Sequence, residues 1–282
     1  MEPLFIGIIM LFGMAMGSFL NVVVIRGWQG ESLGGRSHCR SCLTELSALE
    51  LIPLVSFFVQ NRRCRHCKTA ISWQYPAMEA GTALVYALAV TLLVPDPFVA
   101  SWNSLLTLVL IITGTAAGIV IFLADVRYRI IPDGATLTLG LVGMVAVFMR
   151  VFAASGPVSF LSTAHTIVLS PVFWYDMGAA VGCMAILGIM WLLSQGRWMG
   201  FGDVKLIFAT SLLAGFPASV SAFFFSFWLG GIVSVVLLAL GRKRMGSAIP
   251  FGPFILTGGV LAYFCSNAFL SATGLSHVFI LL

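Results

Sequence analysis

Long apolar segments, separated by short loops that carry most of the charge, follow one another through the whole chain. Hydrophobic residues make up 60% of the 282 residues and charged residues only 9%, and the mean hydropathy is +1.04. A water-soluble domain of this size needs much more polar surface. Eight segments are long enough, or nearly long enough, to cross a bilayer: residues 4–24, 76–94, 105–124, 135–152, 177–193, 204–216, 218–240 and 251–269. The sequence therefore predicts an all-α polytopic membrane protein of about eight transmembrane helices.

The basic residues predict how these helices are oriented. Lys and Arg are enriched in cytosolic loops, and with the N-terminus outside every basic residue except Arg150 falls in an inner loop. The first apolar segment has no basic residue before it, so we expect an uncleaved anchor rather than a signal peptide. Residues 204–240 are expected to form two helices, because Pro217 breaks a helix interior. A single helix there would also move the basic residues 242–244 outside.

One sizeable polar segment, residues 26–75, lies in the first inner loop and contains two CxxC pairs. Four cysteine thiolates at such a spacing can bind Zn²⁺ tetrahedrally, and disulfides are disfavoured in the cytosol. About fifty residues cannot build a sufficient core alone, so a metal would help this insert to fold. The predicted zinc ligands are Cys39, Cys42, Cys64 and Cys67. Unliganded or purely structural cysteine pairs are the alternative, and His38 or His66 could replace one ligand.

An acidic residue at the start of an apolar helix is the most unusual feature of the second half. Residues 200–205 read Gly-Phe-Gly-Asp-Val-Lys, and Asp203 precedes the short sixth apolar segment. A charge inside the hydrocarbon region costs about 2.5–3.5 kcal/mol on insertion scales, so such residues tend to be functional. The glycines before Asp203 would let another backbone, such as a peptide substrate, approach closely. The alternative is a glycine-rich loop in which Asp203 caps the next helix.

A second acid, Asp125, ends the third predicted helix on the same side of the membrane as Asp203. If the two carboxylates meet, one would stay protonated while the other ionises, as in aspartic proteases. The ionised acid could then deprotonate water while the other protonates the scissile carbonyl. Without contact they would be two helix caps. Of the remaining acids, Asp133 is expected to cap the fourth helix, and Asp96 and Asp176 are expected to be loop or cap residues on the outer side.

These features together resemble the type IV prepilin peptidases, membrane aspartyl proteases of the GxGD kind, and the resemblance covers nearly the whole chain. It rests on the four cysteines and on a set of short motifs spread along the sequence. The motifs are residues 17–23 (Gly-Ser-Phe-Leu-Asn-Val-Val), residues 52–56 (Ile-Pro-Leu-Val-Ser), Tyr75-Pro76 with Glu79, Asp125 with residues 131–133 (Ile-Pro-Asp), residues 200–206, and residues 249–253 (Ile-Pro-Phe-Gly-Pro).

The resemblance implies both an activity and a division of labour along the chain. The enzyme would remove the basic leader from type IV prepilins or type II secretion pseudopilins, on the cytosolic side of the bacterial inner membrane. It would then methylate the new N-terminus with S-adenosylmethionine. Asp125 and Asp203 carry over as the catalytic pair. Residues 1–25 would form the first helix, 26–75 the methyltransferase part and 76–282 a seven-helix protease domain. Pilin N-terminal segments and membrane lipid are the implied partners, with no nucleic acid, and the residues that bind S-adenosylmethionine are not identified.

Two departures from the family pattern fall in the insert. Residues 39–42 read Cys-Arg-Ser-Cys where the family often has Cys-Pro-x-Cys, and Arg62 stands where it often has glycine. Arg62 leaves open a peptidase without methyltransferase activity. The acids Glu50 and Glu79 could meet the sulfonium or the basic leader, but salt bridges to loop arginines are expected. A transporter with paired acids, or a non-catalytic zinc-stapled scaffold, are the other readings.

Overall fold

The computed structural model describes residues 3–94, 102–155, 170–244 and 247–273. In these ranges the secondary structure is helical, with two isolated β-bridges in the insert and no β-strand. The prediction of an all-α fold is therefore confirmed. Asp96 lies outside the described residues.

Nine α-helices and one 3₁₀-helix make up the described part of the chain. The α-helices are α1 (Pro3–Gln29), α2 (Val55–Val59), α3 (Gln74–Leu93), α4 (Trp102–Tyr128), α5 (Asp133–Ser155), α6 (Pro171–Ser194), α7 (Phe201–Ala214), α8 (Ala218–Ala239) and α9 (Gly252–Ala272), and the 3₁₀-helix is Ala48–Leu51.

Seven of these helices, all except α2 and α7, are long and apolar enough to cross a membrane. The chain is therefore a multi-pass membrane protein. Helix α7 has only 14 residues, or about 21 Å at 1.5 Å per residue. The predicted break between α7 and α8 is observed, because α7 ends at Ala214 and α8 begins after Pro217.

The chain divides into two compact units, Met1–Val120 and Ile121–Leu282, and the boundary falls within α4. In the first unit α1 packs against α3, around a core that includes Ile9, Tyr86 and Val90. The Tyr86 hydroxyl donates a hydrogen bond to the Ile112 carbonyl at 3.2 Å. The insert emerges between α1 and α3 and belongs to the same unit.

Helix α7 is the centre of the second unit. It packs against α5, α6, α8 and α9, and its apolar side chains are almost fully buried, among them Val204, Leu206, Ile207 and Leu212. A helix that contacts four others is held from all sides, although it is too short to span the membrane by itself. Residues on α7 are therefore among the most firmly positioned in this unit.

A buried ion pair holds the C-terminal end of α7. Asp176 is only 2% exposed, and its carboxylate accepts hydrogen bonds from Arg150 Nε at 2.8 Å and from the Phe216 backbone N–H at 2.6 Å. Arg150 also donates to the carbonyls of Leu212 and Leu213, at 2.6 and 3.1 Å. The prediction that Asp176 is a loop or cap residue was wrong: it lies inside α6 and links α5, α6 and α7.

Candidate active site and metal centre

Asp203 lies in the first turn of α7, where the backbone itself orients its carboxylate. Gly200 precedes the helix as N-cap, and its N–H donates a hydrogen bond to Asp203 Oδ2 at 3.2 Å. The positive end of the helix dipole also favours a carboxylate at this position. The alternative prediction placed Asp203 at the N-cap itself. It instead stands three residues further on and is 7% exposed.

Asp125 lies in the last turn of α4 and is held by the first residue of α9. Its Oδ2 accepts a hydrogen bond from the Gly252 N–H at 2.8 Å, and Asp125 is only 5% exposed. A Cβ atom on residue 252 would stand 2.7 Å from that same oxygen, closer than real Cβ contacts. The Ile-Pro-Phe-Gly-Pro motif thus contributes a glycine amide to the site. Sequence reasoning noted the motif but did not identify this function.

Asp125 and Asp203 lie near enough for their charges to interact. Each carboxylate receives a backbone N–H on its Oδ2 atom, and no cation pairs with either one in the part of the chain described. The Oδ1 atoms accept no hydrogen bond from the described residues. Each of the two buried acids thus has one oxygen fixed by a backbone amide and one oxygen available. Such a pair can exchange protons with a bound molecule.

Gly202 allows the first turn of α7 to lie against the loop that follows α4. A Cβ atom on residue 202 would stand 2.9 Å from Ile131 Cβ. Gly200 has more room, because a Cβ atom there would meet nothing nearer than 3.7 Å. Steric fit therefore explains the second glycine of the Gly-Phe-Gly-Asp segment and does not explain the first.

A charged pair ties α7 to α5 close to the two acids. Lys205 Nζ contacts Asp133 Oδ1, and the ammonium also lies 5.6 Å from the centroid of the Phe201 ring. Asp133 was expected to be an N-cap, but it is the first residue of α5 and its carboxylate faces Lys205.

The four cysteines of the insert form a compact cluster. The Sγ atoms of Cys39, Cys42, Cys64 and Cys67 all lie within 4.8 Å of one another. Sulfur atoms at the corners of a tetrahedron with zinc bonds of about 2.3 Å stand about 3.8 Å apart. The Sγ atoms of Cys39 and Cys67 are 3.8 Å apart. The donor set therefore fits a tetrahedral zinc ion, and the cluster includes neither His38 nor His66.

The two CxxC segments have the same backbone conformation. The N–H of the first cysteine donates to the carbonyl of a threonine five residues on, at 2.9 Å in one segment and 3.0 Å in the other. The residue after the second cysteine has a positive φ in both, 58° at Leu43 and 60° at Lys68. The two loops have the same shape, and each contributes two of the four cysteine ligands.

Threonines in these loops favour the thiolate form that a metal requires. Hydrogen bonds with the side chain and then the backbone of Thr69 lower the pKa of Cys67 to about 6. The side chain and backbone of Thr44 likewise lower the pKa of Cys42. Because a metal binds the deprotonated thiol, this effect favours metal binding by these two of the four cysteines.

Arg62 occupies a backbone conformation that suits glycine. Its φ is 60°, in the left-handed region where residues with a Cβ are uncommon. The carbonyl of Arg62 accepts a hydrogen bond from Ile71 at 2.7 Å, and its guanidinium carbon lies 4.9 Å from the centroid of the Trp73 ring. The departure from the family pattern is thus accommodated by stacking on a tryptophan.

Glu50 and Glu79, the two acids expected to pair with loop arginines, instead accept hydrogen bonds from backbone amides and a serine hydroxyl. Glu50 accepts hydrogen bonds from the Ser47 N–H and hydroxyl, at 2.9 and 2.8 Å, and these bonds lower the pKa of Glu50. Glu79 accepts the Leu54 N–H at 2.7 Å. Neither acid forms an ion pair with an arginine of the described residues, so the expected salt bridges were wrong.

Two family models match this chain. The Bacterial Peptidase A24 N-terminal domain matches residues 11–93, and the Type IV leader peptidase family matches residues 110–235. The first match contains the cysteine cluster, and the second contains both acids.

Several curated proteins named prepilin leader peptidase/N-methyltransferase are similar to the chain over most of its length. The Aeromonas salmonicida protein is 28% identical over 92% of this chain and 90% of its own. The Bacillus subtilis protein is 27% identical over 94% and 96%, and the Pseudomonas aeruginosa protein 29% over 89% and 87%. No solved structure matches the chain significantly.

Proposed function

The chain belongs to the type IV leader peptidase family, and on that premise we propose that it cleaves the leader from prepilins and N-methylates the residue that cleavage exposes. Type IV prepilins and type II secretion pseudopilins are the proposed substrates. The observation that carries the proteolytic half is the pair of interacting acids, Asp125 and Asp203, at the ends of α4 and α7.

The proposed cleavage uses one acid in each protonation state. The ionised carboxylate takes a proton from water as the water oxygen attacks the scissile carbonyl carbon, and the protonated acid gives its proton to the carbonyl oxygen. In the second half, the first acid passes its proton to the leaving amine nitrogen and the second recovers one from the diol, so the C–N bond breaks and both acids return to their starting states. The amides of Gly200 and Gly252 hold one oxygen of each carboxylate throughout.

Methyl transfer is proposed for the insert, residues 26–75, with residues 76–282 as the protease domain. Zn²⁺ held by Cys39, Cys42, Cys64 and Cys67 would have a structural function, because four thiolates leave no open coordination position. S-adenosylmethionine, when bound, would supply the electrophilic methyl group. The protein must then present the new N-terminal amine in its neutral form and in line with that group.

We place the enzyme in the bacterial inner membrane with its acids on the cytosolic side. The support is the distribution of charge: the basic residues cluster in alternate loops, and the loop rich in Lys and Arg is the one that holds the cysteines. The first turn of α7 begins at the same side as the end of α4, so both acids share that face of the second unit.

A second candidate, a peptidase without methyltransferase activity, is favoured by one observation. Arg62 has a left-handed backbone next to Cys64, and its side chain covers Trp73. If methyl transfer needs open space there, the arginine would block it while leaving cleavage untouched.

The test of the main proposal uses the purified full chain in detergent with a peptide that spans a prepilin cleavage site. We expect cleavage without nucleotide or ion gradient, and methylation of the product when S-adenosylmethionine is added. Asp125→Asn and Asp203→Asn should each abolish cleavage, because neither acid can make both proton transfers, whereas Asp133→Asn should keep it. Full activity in either of the first two variants would contradict the aspartyl-protease mechanism.

A further inference from the structure

One side of the insert combines exposed apolar residues with a cluster of cations. Helix α2 presents Val55, Phe58 and Val59, which are 55%, 60% and 64% exposed, and Trp73 beside it is 53% exposed. The adjoining loop carries four cations in seven positions. We call this surface the insert face, and it consists of Val55, Phe58, Val59, Trp73, Arg62, Arg63, Arg65 and Lys68.

An open cleft of about 510 Å³ lies within the basic part of the insert face. Three cationic side chains line it, together with the neutral amides of two neighbouring residues and with Val59 and Cys64. The cationic and amide residues are Arg63, Arg65, Lys68, Gln60 and Asn61. No acid lines the cleft. One acid, Glu50, interacts with Arg65, and a single negative charge beside three cations leaves the cleft with a net positive charge and with hydrogen-bond donors.

The insert face is held rigidly rather than displayed on a loose loop. Phe57 is buried beneath it, and its ring centroid is 5.1 Å from that of Trp73. The Arg62 guanidinium stacks on the other part of Trp73, and the Cys64 backbone is closed by its hydrogen bonds to Thr69 and Lys68. The exposed side chains therefore have fixed places, and each of the four apolar residues stays more than half exposed.

The position of the insert face in the chain points to what covers it. Trp73 immediately precedes α3, one of the helices able to span a membrane, and Leu54, just before α2, donates its N–H to Glu79 within α3. These contacts keep α2 beside the point where α3 enters the membrane. Tryptophan is enriched at such interfaces, and basic side chains there bind anionic headgroups.

We propose that the insert face lies on the bilayer surface and binds anionic phospholipid. Val55, Phe58 and Val59 enter the boundary between headgroups and acyl chains, as the apolar side of an interfacial helix does. A lipid phosphate occupies the cleft and is bound by Arg63, Arg65 and Lys68. An acidic protein partner would match the cations, but it would not account for apolar side chains placed next to a transmembrane helix.

The experiment compares the full-length, zinc-loaded protein in nanodiscs of phosphatidylcholine alone and of phosphatidylcholine with phosphatidylglycerol. Hydrogen exchange of residues 55–73 is followed by mass spectrometry. We expect exchange to slow by at least about fivefold with phosphatidylglycerol, the effect of one basic residue near an anionic surface. The variant Arg63→Gln/Arg65→Gln/Lys68→Gln should lose this difference. A control on the other cysteine loop, Arg36→Gln/Arg40→Gln, should keep it.

Three results would overturn the proposal: equal exchange in both lipids, a phosphatidylglycerol effect that survives in the triple variant, or the same protection from inorganic phosphate in phosphatidylcholine discs. The last would show that the cleft binds a soluble anion instead of a membrane surface. Zinc content is measured in every sample. If the triple variant loses zinc, Lys68→Gln replaces it, because this position lies outside the cysteine spacing, and it should lose part of the difference.

Discussion

At the residue scale, the two proposed catalytic acids depend on two glycines for different reasons. Gly252 supplies an amide to Asp125 and leaves the space that the carboxylate occupies, whereas Gly202 lets α7 approach Ile131. Asp125 is therefore held by backbone from a distant part of the chain. Asp203 is held by Gly200, three residues before it, on a helix that packs against Ile131. Changes that add one methyl group at Gly252 or Gly202 should affect catalysis more than their small size suggests.

The first prediction concerns Gly252→Ala. A Cβ atom there would lie 2.7 Å from Asp125 Oδ2, so either the carboxylate or the start of α9 must move. A misplacement of about 1 Å can reduce a rate about 100-fold, and we expect a loss in kcat of that order in a peptide cleavage assay. Gly259→Ala in the same helix is the control, because nothing lies within 4 Å of its Cβ position. Equal rates in the two variants would contradict the proposed function of the Gly252 amide.

The second prediction separates the two glycines that precede Asp203. Gly202→Ala should reduce cleavage strongly, because its Cβ would stand 2.9 Å from Ile131 Cβ and would push the first turn of α7 away. Gly200→Ala should keep most of the activity, since its φ is −77° and its nearest contact is 3.7 Å. Initial cleavage rates at matched protein amounts give the comparison. The steric account fails if Gly200→Ala is the more damaging change.

The two acids could be predicted from the sequence because each carboxylate stands at the end of an apolar segment, where a charge is costly. Their partners could not. Gly252 follows Asp125 by 127 residues, and no local pattern tells which backbone amide will meet which carboxylate. Lys205 and Asp133 each looked like an ordinary charge near a helix end, and their contact became evident only from the packing of α5 against α7.

At the scale of the helix, α7 must hold the first turn that carries Asp203 although it is too short to be fixed by the two membrane surfaces. Its C-terminal carbonyls are instead bound by Arg150, which Asp176 neutralises. This arrangement satisfies carbonyls that a helix end otherwise leaves without partners. It lies at the opposite end of α7 from Asp203, so it sets the depth and angle of the whole helix.

The third prediction tests these contacts of Arg150 with Asp176 and with the last carbonyls of α7, which we call the clamp. Asp176→Ala leaves Arg150 without its partner, and breaking a buried pair costs about 3–5 kcal/mol. Since the Arg150 side chain is 33% exposed, we expect a smaller loss, about 2 kcal/mol, seen as a lower Tm in detergent. Asp133→Ala removes the partner of Lys205. Because the Asp133 side chain is 81% exposed, this change should alter Tm little. An unchanged Tm for Asp176→Ala would show that the clamp does not stabilise α7.

Hydropathy and charge predicted the break between α7 and α8 but not the clamp. Pro217 and the basic residues 242–244 correctly indicated that two helices follow Asp203, because helix breaking and charge placement are local effects. The pairing of Arg150 with Asp176 joins two helices separated by 26 positions in sequence, and the orientation of a helix about its axis decides it. The available signal was Arg150, a charged residue inside the apolar segment 135–152.

At the scale of the molecule, most of the helical architecture follows from alternating apolar and basic segments, since the bilayer restricts what a chain can do. The division into two units was not indicated, because it falls inside the continuous helix α4. The cysteine cluster and the two acids lie in different units, Met1–Val120 and Ile121–Leu282. The assignment of methyl transfer to residues 26–75 and of proteolysis to residues 76–282 stays a prediction.

The last prediction is that the two activities can be separated. Cys64→Ser removes one of four ligands from the cluster, so purified protein should hold less than the one zinc per chain expected of the wild type. The insert should loosen, and methylation should fall more than cleavage, because Asp125 and Asp203 belong to the other unit. Cys183→Ser, which changes a buried cysteine outside the cluster, controls for loss of a thiol and should keep its zinc.

The reciprocal experiment uses Asp125→Asn with a pilin peptide that has already been cleaved. Methylation needs a neutral amine aligned with the methyl donor and no carboxylate pair, so this variant should methylate the peptide although it cannot process the intact substrate. Arg62→Gly, which relieves the left-handed backbone at φ 60°, should keep both activities. If the wild type never methylates and Arg62→Gly does, the arginine blocks the second reaction and the natural chain is a peptidase only. If Cys64→Ser loses cleavage and methylation equally while zinc falls, the two reactions share one folded unit, and the proposed division is wrong.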